Sequence, residues 1–281
     1  MKPLITIALS AAIILLLVNT RLGVDLIFGA LGGSTDDLDV DPKNSPLILN
    51  RTLSSDTSYV LPPLLEQPSG MVFTEDFIYI STDYGELFRL DHQFTLNDEP
   101  TKLLSGILLF RQGALEAITI KDSQVLGIGE LEAIGLWQKS SGGWMRDKDI
   151  LLPAHLVKKD FTGICVNTNG IWATADDVTG LFNLESGSYQ DVNFEPFTKP
   201  GADSSSLLIS GIDCDEEYFY IITENYASIV ILDKTFRINE VVGLDAVEAS
   251  DIAIHNRYAY VTVDHNYFDP KPPVYRYNLR K

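Results

Sequence analysis

The chain is short of positive charge. Across 281 residues, Lys and Arg number 21 against 39 Asp and Glu, which leaves a formal charge of −18. Such a surface repels phosphate backbones and anionic headgroups, so nucleic acid is not an expected partner. Histidine is sparse as well: His92, His155, His255 and His265 are scattered, and no Gly-x-Ser-x-Gly elbow accompanies them. Cys/His zinc spacing, a phosphate-cradling glycine loop and a dinucleotide fingerprint are all missing. Cysteine stops at Cys165 and Cys214, two and three residues after Gly163 and Gly211. Strand alternation then points them to opposite sides of neighbouring strands. The expectation is two small buried hydrophobes without a disulfide.

Long apolar runs are absent too, with one exception at the start. Lys2 precedes Leu4 to Val18, a run broken only by Thr6 and Ser10 and ended by Asn19, Thr20 and Arg21. That length and flank match the apolar region of a signal peptide. Phe28-Gly29-Ala30 and Gly32-Gly33-Ser34 are poor cleavage sites, so residues 1–21 read as an uncleaved signal anchor, a single membrane helix. Cleavage would instead release a secreted protein. Lys2 and the acidic bulk behind the segment place the body outside the cytoplasm. Residues 22–46 read as an acidic linker with Asp36, Asp37, Asp39, Asp41, Pro42 and Pro46. Residues 47–281 form the folded domain.

What the domain does have is repetition. A small or acidic residue precedes a carboxylate by thirteen positions, five times over: Gly70 and Asp83, Ala117 and Glu130, Gly163 and Asp176, Gly211 and Glu224, Asp251 and Asp264. The first members are 47, 46, 48 and 40 residues apart, in the range of propeller blades. Each unit reads as a first strand at the small residue, a β-rich second run, the carboxylate in a turn, then a third strand. The second runs are Phe77 to Thr82, Gln124 to Gly129, Gly170 to Ala175, Tyr218 to Thr223 and Tyr258 to Val263. Short strands parted by turn residues indicate repeated antiparallel sheets. Fourth strands are less regular, with candidates at Thr101 to Leu104, Asp149 to Leu152, Tyr189 to Phe194 and Arg237 to Val242. The fifth unit has none, and Ser58-Tyr59-Val60-Leu61 is placed to supply it from the front. The fold class is therefore all-β, a β-propeller with five visible blades closed by an N-terminal strand. A sixth would need residues the chain barely has.

In a propeller the first strands line the axis, and the turns after the second strands gather at one mouth. Asp83, Glu130, Asp176, Glu224 and Asp264 should ring that mouth. Glu116 joins them from the start of an inner strand where other units have Ser69, Thr162, Ser210 and Ser250. Clustered carboxylates repel one another unless a cation neutralises them, and this oxygen set suits calcium. The competing role is structural, each carboxylate bonding the backbone of its own turn or of the next blade. Glu116 breaks the repeat, which makes it the sharper functional candidate.

The apolar start, Glu66-Gln67-Pro68-Ser69-Gly70-Met71, Ser81-Thr82-Asp83-Tyr84-Gly85-Glu86-Leu87, Leu115-Glu116-Ala117-Ile118 and Thr223-Glu224-Asn225 together resemble the SdiA-regulated family of bacterial envelope propellers. NHL-repeat and phytase-like propellers share such short motifs. The resemblance covers roughly residues 60–281 and implies a single-pass inner-membrane protein with its propeller in the periplasm. Relatives usually carry Glu-Gly-Ile where this chain has Glu116-Ala117-Ile118. Two functions follow. The first is a binding or scaffolding module, with an unidentified protein or small-molecule ligand at the mouth and a calcium ion there. The alternative is a metal-dependent hydrolase of lactonase or phosphoesterase type, in which Glu116 would be catalytic.

Overall fold

Five small sheets, three built from a consecutive stretch of chain and two completed by an N-terminal strand, stand around one axis in this computed structural model. Described are residues 45–82, 85–102, 115–129, 134–140, 143–149, 152–156, 159–175, 178–202, 207–224, 226–245, 249–263 and 273–280. For 102, 129, 134–140 and 143–149 only the backbone is described. Residues 1–21, read as a signal anchor, and nearly all of residues 22–46, read as a linker, lie outside them. No described helix is long and apolar enough to cross a membrane.

Two short strands come first: β1 (Arg51–Leu53) and β2 (Thr57–Val60). Blade one is β3 (Pro68–Phe73), β4 (Ile78–Thr82), β5 (Glu86–Leu90) and β6 (Thr101–Lys102). Blade two is β7 (Leu115–Lys121), β8 (Gln124–Gly129), β9 (Ile134–Ser140) and β10 (Gly143–Asp149). Blade three is β11 (Phe161–Asn167), β12 (Gly170–Ala175), β13 (Gly180–Asn183) and β14 (Tyr189–Asp191). Blade four is β15 (Ile209–Cys214), β16 (Tyr218–Thr223), β17 (Ser228–Asp233) and β18 (Ile238–Leu244). Blade five is β19 (Ala249–His255), β20 (Tyr258–Val263) and β21 (Pro273–Asn278), completed by β2. The inner strands β3, β7, β11, β15 and β19 each touch the next, and β19 touches β3, so the ring closes.

The expected closure is observed: β2 pairs antiparallel with β21, Tyr59 opposite Val274. That removes an exposed edge where the two ends of the domain meet. β1 was not expected. It pairs parallel with β18, Thr52 opposite Gly243, and makes blade four a five-stranded sheet. The outer strand of blade two also differs from its expected place at Asp149 to Leu152. It is β10, which follows β9 after two residues and pairs with it antiparallel, Trp144 opposite Lys139. The intervening Ser-Gly dipeptide is a hairpin signal in the sequence.

The core is divided among the blade junctions. Five apolar clusters are found, one between each neighbouring pair of sheets. A second strand is covered on both faces, by the blade before and the blade after. β4 is therefore buried along its whole length, and β12, β16 and β20 at all but their first residue. This is why their sequences read as near-continuous apolar runs rather than as alternating ones.

The repeated glycines let the inner strands approach closely. A Cβ on Gly70 would lie 2.7 Å from Ile118 N, and one on Gly163 would lie 2.7 Å from Ile212 N. The same geometry corrects the expectation for the cysteines. Cys165 and Cys214 form a disulfide between blades three and four, with Cα atoms 5.8 Å apart. They do point to opposite sides, but β11 and β15 belong to facing sheets, where opposite sides meet. Gly163 faces Ile212, so Cys165, two residues on, also faces blade four. Gly211 faces Asp251 of blade five, so Cys214, three residues on, turns back toward blade three. The link closes a separation of 49 residues, a constraint worth roughly 2–4 kcal/mol.

Candidate functional site

Each inner strand opens with the same irregularity. The register with the second strand slips between Pro68 and Gly70, Leu115 and Ala117, Phe161 and Gly163, Ile209 and Gly211, and Ala249 and Asp251. The bulged residues are Ser69, Glu116, Thr162, Ser210 and Ser250. A bulge frees a residue from the ladder and re-aims its side chain. Here four hydroxyls are aimed at the next blade. Ser69 Oγ donates to the Leu115 carbonyl, Thr162 Oγ1 to Ile209 at 2.7 Å, Ser210 Oγ to Ala249 at 2.6 Å, and Ser250 Oγ to Pro68 at 3.0 Å. Every acceptor is the residue just before the next bulge, so the hydroxyls latch blade to blade around the axis. Glu116 occupies the fifth latch position, half-buried. An ionised carboxylate has no proton to donate to a carbonyl, so this position is chemically unlike the other four.

Of the six expected mouth residues, Asp83, Glu130, Asp176 and Asp264 lie outside the described residues. Glu116 and Glu224 are described, and topology places both at the same end of the propeller, in blades two and four. Glu224 is tied to the start of its own inner strand, its backbone N–H donating to the Leu208 carbonyl at 3.0 Å. Among the described residues no group of three or more His, Cys, Asp or Glu side chains is arranged to hold a metal ion.

Two further carboxylates were not singled out by sequence reasoning as site groups. Asp213 on β15 accepts from Ile254 N at 2.6 Å and from its neighbour Cys214 N at 2.8 Å. Asp251 on β19 accepts from Met71 N at 2.7 Å. Each thus reaches the inner strand of the next blade: four to five, and five to one. Asp251 sits where other units have Gly or Ala. Its carboxylate meets Met71 N, the counterpart of the Ile118 and Ile212 amides that crowd Gly70 and Gly163. Burial holds Asp213 up at about 7, against the pull of its two backbone donors, and nearby Asp215 adds to the rise. Asp213 keeps some solvent contact, yet protein surrounds it closely enough for desolvation to dominate. Burial also holds Asp251 well above the usual carboxylate range, with the Asp213 charge adding to it. The signal for Asp251 was its place in the repeat. Asp213 stands where other units have Val72, Thr119, Cys165 and Ala253, and its polarity was the only sign.

The seam between blades five and one also carries an aromatic group. His255 stacks on Phe73 with ring centroids 4.7 Å apart and meets His92 edge-on at 5.5 Å. Burial and the neighbouring His92 hold the His255 imidazole below its ordinary value.

No protein-family model matches this chain, and no curated protein sequence does either. Solved structures do. The chain is similar to glutaminyl cyclase from Myxococcus xanthus, with a TM-score of 0.57 at 13% identity over 83% of this chain and 97% of that one. It is also similar to the PQQ-bound aldose sugar dehydrogenase from Streptomyces coelicolor, with a TM-score of 0.50 at 10% identity over 83% and 97%. A glucose dehydrogenase-type oxidoreductase from Thermus thermophilus gives 0.52 at 9% identity over 78% and 99%. At such identities the likeness defines the class, a β-propeller, and nothing of the chemistry.

Proposed function

We propose that this chain is an extracytoplasmic binding and scaffolding propeller, tethered to the bacterial inner membrane by residues 1–21 and facing the periplasm. Its kinship would be with the SdiA-regulated propellers it resembles. The observation that carries this reading is the Cys165–Cys214 link. Disulfides persist in oxidising compartments and are rare in the cytosol, which agrees with Lys2 followed by an apolar run. A binding role is supported by the commitment of the axial polar groups. Four hydroxyls and the carboxyl groups of Asp213 and Asp251 hold backbone partners between blades, the use a scaffold makes of them. The ligand end would be the acidic mouth, where Glu116 and Glu224, with Asp83, Glu130, Asp176 and Asp264, offer hard oxygen ligands to calcium.

The test is a thermal melt of the full chain in calcium, in magnesium and in EDTA. A cation held only by the native state stabilises it by mass action, about 2.7 kcal/mol at a concentration of one hundred times Kd. The expected result is an upward shift with calcium that Glu116→Gln reduces. A melt indifferent to both cations overturns the cation part of the reading.

A further inference from the structure

At the opposite end of the propeller, away from the acidic mouth, blade five holds a different kind of site. The β19–β20 hairpin turns through Asn256 and Arg257, both left-handed, with φ of 50° and 71°. His255 and Tyr258 pair across its base. Two such residues in succession make the tight turn that suits strand twist and fixes where the side chains leave. The chain end comes alongside: Leu279 N donates to the Arg257 carbonyl at 3.3 Å, which brings Arg280 beside Arg257. Arg280 N in turn donates to Asn278 Oδ1 at 3.0 Å. Together Asn256, Arg257, Tyr258, Asn278 and Arg280 line a cavity of about 360 Å³.

Among the described residues, Arg51, Arg89 and Arg276 are committed to partners. Arg51 pairs with Glu240 at 2.6 Å and donates to the Leu279 carbonyl, and Arg89 pairs with Asp98. Arg276 lies over the Tyr258 ring at 4.7 Å and donates to Tyr59. Arg257 and Arg280 are exposed, and among the described residues neither has a carboxylate partner, in a chain with 39 acidic residues. Asn278 accepts from Arg280 N through its amide oxygen. Two arginines, two asparagines and a tyrosine therefore line one hollow. Guanidinium forks match oxyanions in two-pronged geometry.

We infer that this cavity is a binding site for a small oxyanion, the phosphate or carboxylate group of an anionic ligand. The global charge of −18 repels such ligands at long range, and the site acts against that field through short charge-assisted bonds. It is independent of the mouth and of any cation there.

Titration calorimetry of the full chain tests it, with inorganic phosphate in one arm and citrate in the other. The expected result is saturable binding of at least one of them at one site per chain. Arg257→Ala and Arg280→Ala should each weaken it about tenfold or more, while Arg237→Ala, at an exposed arginine outside the cavity, leaves it unchanged. Both cavity variants remove exposed side chains, and an unaltered melting temperature confirms that they fold. Binding in the phosphate arm alone assigns a phosphoryl ligand, and in the citrate arm alone a carboxylate. Failure of both anions to bind the unaltered chain, or equal binding by the doubly substituted chain, overturns the proposal.

Discussion

The seam between blades three and four and the seams flanking blade five join the same inner strands by different chemistry. At the first, β11 and β15 are held by a disulfide, a glycine contact and the Thr162 hydroxyl latch. At the others, Asp213 and Asp251 reach across to backbone amides, beside the Ser210 and Ser250 latches. One seam is covalent and responds to reductant. The other two depend on carboxylates whose burial opposes ionisation, and so respond to pH. A repeated scaffold therefore does not imply repeated fastening, and the acid-fastened seams lie where blade five is completed by the N-terminal strand β2.

The covalent seam gives the largest expected effect. Replacing both cysteines by serine, Cys165→Ser with Cys214→Ser, should cost roughly 2–4 kcal/mol in denaturant unfolding. Reductant should then have no further effect on the doubly substituted chain. If the substituted chain is as stable as the original, the contrast between the seams disappears.

The acid seams give the next effect, and its sign is fixed. The folded Asp213 carboxyl titrates at about 7, far above its ordinary 3.8, so between those values the native chain keeps a proton that the unfolded chain has released. Stability is greatest near the lower end of that window, falls as pH rises toward 7, and then levels. Inside that window the one extra proton sets the slope, at most about 1.4 kcal/mol per pH unit, and the solvent contact of Asp213 narrows the window rather than changing the slope. Asp251 acts in the same direction. His255, held low, acts in the opposite sense as pH falls below its ordinary range. Asp213→Asn isolates the carboxylate term: stability profiles from pH 4 to 8 should flatten in the variant. An unchanged slope would remove Asp213 from the account.

The hydroxyl latches are the feature shared by both kinds of seam, and the smallest effect belongs to them. Ser250→Ala and Thr162→Val should each cost about 1 kcal/mol in equilibrium unfolding. The two costs should add, because the latches lie at separate junctions. Strong non-additivity would show that the ring responds as one unit.

The sequence disclosed the parts of this arrangement that depend on spacing. Gly70, Gly163 and Gly211 recur because at those three junctions the next blade leaves no room for a Cβ, while Ala117 and Asp251 carry one at the equivalent positions. The hydroxyls one residue before this repeat position were visible as a column, Ser69, Thr162, Ser210 and Ser250, with Glu116 as the odd member. Their latching role was hidden because it depends on a bulge, which alternation alone does not reveal. The disulfide was hidden for a related reason. Alternation gives side-chain direction within one sheet, whereas β11 and β15 belong to different sheets that face each other across a junction. β1 escaped because a three-residue strand pairing in parallel with an edge leaves almost no pattern. Asp213 escaped because one polar residue in an inner strand is legible only once the opposing amide of Ile254 is in place.

The most direct measurement is the redox state of the two cysteines in chain isolated from cells without reductant, read by alkylation under denaturing conditions followed by intact mass. An extracytoplasmic propeller stapled between blades three and four takes up no alkyl groups until it is reduced, and then takes up two. Two alkyl groups added before reduction would contradict both the staple and the compartment it implies.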